Sequence, residues 1–176
     1  MEILLGCGSS RVKKMAWPGR EKWSGLVTLD FAKDPHGPDV VHDIASLPLP
    51  FDDNSADEIH AYEVMEHVGA QGDWRFFFDQ WSDIWRVLKD GGRFFGTSPH
   101  HSSPWAWGDP GHTRIVGPEQ LTYLSQPQYD RQVGVTPMTD YRFCYRADFD
   151  LVHSRVNDGL IYEYVLQAVK PSRVSI

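Results

Sequence analysis

Short apolar runs alternate with turns and one strongly amphipathic helix through the first two thirds of this chain, and few architectures accept that order. Ile3-Leu4-Leu5 meets the Gly-rich turn Gly6-Cys7-Gly8-Ser9-Ser10, where Ser9 or Ser10 is placed to cap a short helix reaching about Met15. Trp17-Pro18-Gly19 ends that helix. Residues 26–30, 40–43 and 58–62 read as strands, with a Pro- and Asp-rich loop at 48–55. Trp74, Phe77, Phe78, Trp81, Ile84, Trp85 and Leu88 recur at helical period, so a helix is expected from about Asp73 to Leu88, with that stripe facing a core. Gly91-Gly92 is expected to stop it. Residues 93–98 read as the next strand.

A long connection rich in Pro, Gly, His and Trp then runs from His100 to Gly117. Pro118 is suited to the first position of a short helix near residues 119–124, and residues 126–142 read as loop. Two final strands, at 151–156 and 160–169, are joined through the hairpin signal Asn157-Asp158-Gly159. The alternation implies a parallel sheet, and the hairpin an antiparallel end. The expectation is a single α/β domain over residues 1–176, with an insertion at about 99–142. Its length of 176 residues suits one domain.

Charge narrows the function classes. The formal net charge is −7, so a broadly basic nucleic-acid coat is excluded. A local patch remains in Arg11, Lys13, Lys14, Arg20 and Lys22, which leaves nucleic acid open as a partner although the acidic balance is against it. Cys7 and Cys144 are the only cysteines, too few for a disulfide framework, which fits a reducing cytoplasm. No apolar run reaches about 18 residues, and the first residues lack the basic start of a signal peptide, so no membrane partner is expected.

The chemistry gathers at the ends of the strands. In open α/β sheets ligands sit beyond the carboxyl edge. Gly6-Cys7-Gly8 lets backbone turn tightly and approach a ligand. Asp30 follows Gly8 by 22 residues, a spacing suited to a carboxylate that accepts the two hydroxyls of a ribose. Asp43-Ile44 pairs a carboxylate for an adenine amino group with an apolar cover for its ring. A dinucleotide fingerprint would need Gly at position 11, where Arg11 stands.

These residues form an ordered set that resembles the class I S-adenosylmethionine-dependent methyltransferases of the small type 11 branch. The matching motifs are Leu5-Gly6-Cys7-Gly8, Leu49-Pro50-Phe51, Asp57-Glu58-Ile59, Met65-Glu66-His67, Arg86-Val87-Leu88-Lys89-Asp90-Gly91-Gly92 and Ser98-Pro99, spanning about residues 3–125. The resemblance implies a Rossmann-like, doubly wound, mostly parallel seven-strand sheet with an antiparallel C-terminal hairpin. It implies S-adenosylmethionine as cofactor and S-adenosylhomocysteine as product. Gly6, Cys7, Gly8 and Ser9 would line its methionine end, Asp30 its ribose, and Phe31, Asp43 and Ile44 its adenine, with Glu63 and Val64 near the sulfonium. Leu4 stands where many relatives carry an acid.

Methyl transfer to a hydroxyl or ammonium needs a base near neutral pH, for which His is suited. The candidate catalytic residues are His67, His100, His101 and His112. The stretch from Trp105 to Arg114 resembles an Asp-Pro-x-His-x-Arg segment of the same relatives, a loop over the acceptor in which Trp105, Trp107, Asp109 and Arg114 join Glu63 in substrate contact. No metal is expected, since His100, His101, Asp109 and His112 match no standard zinc spacing. Cys7 reads as a small buried residue. The acceptor is O or N and otherwise unidentified. The alternatives are a catalytically weak cofactor-binding subunit that supports a partner, or transfer of another group from the same cofactor. A homodimer stays open.

Overall fold

The computed structural model describes residues 1–33 and 37–174. One seven-stranded sheet has the order β3-β2-β1-β4-β5-β7-β6. β1 (Glu2–Leu5), β2 (Leu26–Asp30), β3 (Val40–Val41), β4 (Ala56–Tyr62) and β5 (Leu88–Pro99) pair in parallel. β7 (Ile161–Ala168) pairs antiparallel with β5 and with the edge strand β6 (Phe149–Val156). This is the Rossmann-like, doubly wound order with an antiparallel end. The chain leaves β1 toward β2 on one side and returns to β4 on the other, so the crevice between the carboxyl ends of β1 and β4 is the switch point where ligands bind.

Side-chain alternation gives the sheet two different faces. On one, Ile3, Leu5, Leu29, Ile59, Phe94 and Leu166 are almost wholly buried. Helix α1 (Trp74–Val87) packs there, with the Trp81 ring 4.9 Å from Phe94 and 5.9 Å from Phe149. Each such side chain contributes about 1.5–3 kcal/mol relative to an exposed one. Asp73 caps α1 by accepting the Phe76 N–H at 3.2 Å.

The opposite face is polar at its centre. Glu2, Glu58 and His60 are no more than 2% exposed. The Lys13 ammonium, itself buried, lies 3.1 Å from Glu2 Oε2 and 2.6 Å from Glu58 Oε2. His60 joins Glu58 at 3.0 Å and the Tyr62 hydroxyl at 2.7 Å, and stacks on Phe95. The helix expected at about residues 9–15 is absent. Residues 6–25 run as turns and extended chain, with Met15 N–H donating to the Tyr62 hydroxyl at 3.1 Å and the Trp23 indole to Arg11 O at 2.6 Å. A helix would need an apolar stripe over an apolar floor. This floor offers carboxylates, and the segment answers with a lysine.

Other expectations shift in detail. Gly91-Gly92 does not stop the helix; α1 ends at Val87, Leu88 is already extended, and the glycines form an irregularity inside β5, where the pairing with β4 slips and Gly91 has φ +71°. The 100–117 connection contains α2 (Pro104–Gly108), capped by Ser103, and Pro118 opens α3 (Pro118–Thr122) as expected. The stretch read as loop from 126 contains α4 (Gln126–Gln132), with Pro127 in its first turn.

Candidate active site

A cavity of about 580 Å³ opens at the switch point. It is lined by Gly6, Asp30, Phe31, His42, Asp43, Ile44, Ala45, Glu63, Val64, His67 and Val68. Seven of the residues singled out for the cofactor from sequence thus line one space: Gly6, Asp30, Phe31, Asp43, Ile44, Glu63 and Val64. Cys7 is buried behind it, and burial pushes its thiol up from the ordinary value, so it is no thiolate nucleophile. Gly8 and Ser9 are exposed and do not line the cavity.

Local backbone builds the space. Gly6 has φ +59°, and a Cβ there would lie 2.5 Å from Val64 Cγ2, so only glycine lets the turn after β1 meet the chain after β4. The Asp30 carboxylate accepts the Gly8 N–H at 2.8 Å and the Ala32 N–H at 2.9 Å, tying the glycine turn to the end of β2. Glu63 sits at φ +58°, a conformation costing a non-glycine residue about 1–3 kcal/mol, and is held by its N–H to Thr97 O at 2.9 Å. Its Oε1 is buried with no hydrogen-bond partner among the described residues.

The 3-10 turn Met65–His67 follows at once. Glu66 is 2% exposed; its Oε2 accepts the Ser98 hydroxyl at 2.9 Å, and its Oε1 has no partner among the described residues. Burial pushes the Glu66 carboxyl above its ordinary range, and the Glu63 charge adds to that. His67 Nδ1 lies 3.0 Å from Gly111 O. The His112 ring meets His67 edge-on, centroids 4.5 Å apart, and its buried Nδ1 lacks a partner among the described residues. His112 Nε2 lies 3.9 Å from Asp109 Oδ2, while Asp109 Oδ1 accepts the Gly111 N–H at 2.7 Å. The 109–114 loop is fastened across this turn by Thr113 N–H to Glu66 O at 2.9 Å.

The remaining candidates fall elsewhere. Arg114 is buried, donating to Met65 O at 2.9 Å and Gln80 Oε1 at 2.6 Å, so it locks the Met65–His67 turn onto α1, and it lines a second cavity rather than the switch-point one. A guanidinium needs such a set of acceptors when buried. The His100 and His101 rings meet at a tilt, centroids 3.9 Å apart, and neither lines the cavity. Trp105 and Trp107 on α2 are 69% and 73% exposed. Sequence reasoning missed Glu66 as a site residue and His42, Ala45 and Val68 as walls. The signal for Glu66 was its position three residues after Glu63 and next to His67. That second cavity, of about 220 Å³, also has Trp74, Phe77, Phe78, Tyr123 and Tyr141 in its wall, so part of the α1 aromatic stripe faces space and not only core.

Residues 4–96, just over half of the chain, match the methyltransferase domain family. No curated protein matches the sequence. Solved structures share the fold at low identity. A Haloferax volcanii methyltransferase, in complex with the Trm112 methyltransferase activator, is 15% identical with a TM-score of 0.54, over 96% of this chain and 82% of that one. A Mesorhizobium loti S-adenosylmethionine-dependent methyltransferase is 16% identical with a TM-score of 0.55, over 94% and 90%. The Bradyrhizobium japonicum N-methyltransferase NodS, in complex with S-adenosylhomocysteine, is 12% identical with a TM-score of 0.53, over 95% and 76%. Among the described residues no helix is long and apolar enough to cross a membrane.

Proposed function

This chain is a class I S-adenosylmethionine-dependent methyltransferase, and we propose that it methylates an oxygen or nitrogen acceptor held between the cavity mouth and the 109–114 loop. The observation that carries the reading is the switch-point cavity, whose lining includes the carboxylates of Asp30, Asp43 and Glu63. The residues suit the cofactor. Asp30 keeps lone pairs beyond its two backbone bonds for ribose hydroxyls. Phe31 and Ile44 offer apolar cover for the adenine, and Asp43 an acceptor for its amino group. The unpartnered Glu63 Oε1 suits a positive centre. When bound, the cofactor supplies an electrophilic methyl on a sulfonium and leaves as S-adenosylhomocysteine.

The protein's part is to orient and to move one proton. Gly6 and Val64 close the cavity floor and fix the approach line. Glu63, at the boundary between cavity and turn, takes the proton from the acceptor. Arg114 keeps the Met65–His67 turn rigid beneath it.

Calorimetric titration with S-adenosylmethionine and S-adenosylhomocysteine, with NAD as control, tests the reading. Micromolar binding of either, and none of NAD, is expected. Binding of neither sinks it.

A further inference from the structure

Glu66, His67 and His112 each offer one ligand atom, and these atoms lie within 4.8 Å of one another. We infer that they form a binding site for a first-row divalent cation at the acceptor edge of the cavity, and that the cation holds a hydroxyl-bearing acceptor. Of the residues considered for a metal from sequence, His100, His101, Asp109 and His112, only His112 belongs to this set.

Three observations carry the inference independently of any ion. Two of the three residues carry a buried polar atom without a partner among the described residues, Glu66 Oε1 and His112 Nδ1. Orphans cost about 1–3 kcal/mol each, and a cluster of them calls for an occupant. His67 Nδ1 lies 3.0 Å from Gly111 O, which only a protonated nitrogen can satisfy, so His67 Nε2 carries the free lone pair that a metal-ligating imidazole requires; His112 Nδ1 has no partner among the described residues. Ser98 likewise steadies the Glu66 carboxylate at 2.9 Å. Bonds of about 2.0–2.2 Å to a common ion require the three atoms to draw slightly closer, which the exposed His67 ring can do by rotation.

Two imidazoles and one carboxylate select a first-row transition ion over magnesium or calcium, and three protein ligands leave positions open. A hydroxyl bound there loses its proton more readily, and the adjacent Glu63 carboxylate accepts that proton. The acceptor oxygen then forms the new bond to the methyl carbon, and the electron pair of the broken carbon–sulfur bond stays with sulfur. This deepens the proposed function and rests on it only for the transfer step; the cation site stands on its own residues.

Cobalt(II) titration of chelator-treated, full-length protein tests it, followed by visible absorption, with manganese(II) followed by electron paramagnetic resonance. One saturable equivalent is expected. Glu66→Gln, His112→Ala and His67→Ala should each weaken cobalt binding about tenfold or more, whereas His153→Ala, on β6, should not. Circular dichroism checks folding, and His67→Ala, at an exposed side chain, keeps the test valid should a buried variant unfold. Absence of saturable binding, or binding that survives all three substitutions, overturns the site. S-adenosylhomocysteine binding is measured in parallel without metal. Cofactor binding without cobalt binding overturns the cation site alone. Cobalt binding without cofactor binding upholds the site and sinks the methyltransferase reading.

Discussion

The Asp30 carboxylate accepts the Gly8 N–H at 2.8 Å, joining the end of β2 to the glycine turn after β1 across 22 residues. One side chain therefore shapes the cavity and stands in it. Hydrogen bonds to a charged group contribute about 1.5–3 kcal/mol each. Asp30→Ala should weaken S-adenosylhomocysteine binding by more than about tenfold, or 1.4 kcal/mol, in calorimetry. Unchanged affinity would remove the ribose from this end of the cavity.

Gly6 and Gly8 both have positive φ, at +59° and +48°, but their surroundings differ. A Cβ on Gly6 strikes Val64, while one on Gly8 meets nothing within 4 Å. Gly8→Ala should cost only the left-handed penalty of about 1–2 kcal/mol. Gly6→Ala should cost that plus an overpacking cost of about 1–3 kcal/mol, and should abolish cofactor binding. Urea unfolding and calorimetry on the pair check this. Equal losses would mean that the Val64 contact relaxes freely.

Lys13 sits between Glu2 and Glu58 beneath the extended segment. Removing one partner of a buried ion pair leaves uncompensated charge and costs about 3–5 kcal/mol. Lys13→Met should therefore destabilise the protein by that order in urea unfolding, and adding Glu58→Gln should restore part of the loss. A surface role for Lys13 would instead give a change within about 0.5 kcal/mol.

The same cluster explains what was legible in the sequence. The parallel run and its antiparallel end were readable because apolar period and turn residues act locally. Asp30 and Asp43 drew notice by closing strand-like runs, and Glu63 through the resemblance. The missing helix at 9–15 was not readable. Capping by Ser9 or Ser10 is a local signal, whereas the polar floor that overrides it comes from Glu2, Glu58 and His60, brought together only by strand pairing. Helix α4 was hidden by its Pro and Gln content; its buried Gln126 donates to Ala147 O and its buried Tyr129 to Tyr123 O, contacts made only in the folded chain. The structural part of Arg114 was not readable either, because nothing in the motif reveals that Met65 O and Gln80 surround it.

The cluster also sets the response to acid. Burial, the largest effect, lowers the His60 pKa below its ordinary 6.5, although Glu58 pulls the other way. A histidine kept neutral by folding contributes stability that is complete above the unfolded value and is lost as pH falls from about 6.5 toward the folded one. Burial raises the Glu58 pKa, but hydrogen bonds from His60 and Lys13 outweigh it, and the net shift is downward. That contribution is present above the unfolded glutamate value of about 4.3 and is lost as pH falls through the folded one. Stability in urea should therefore decline in two stages on acidification, the first beginning near pH 6.5. His60→Gln should lower stability at pH 7, flatten the first stage and weaken the second, because His60 supplies one of the hydrogen bonds that hold Glu58 down. A first stage of equal slope in the variant would assign the acid response to other histidines.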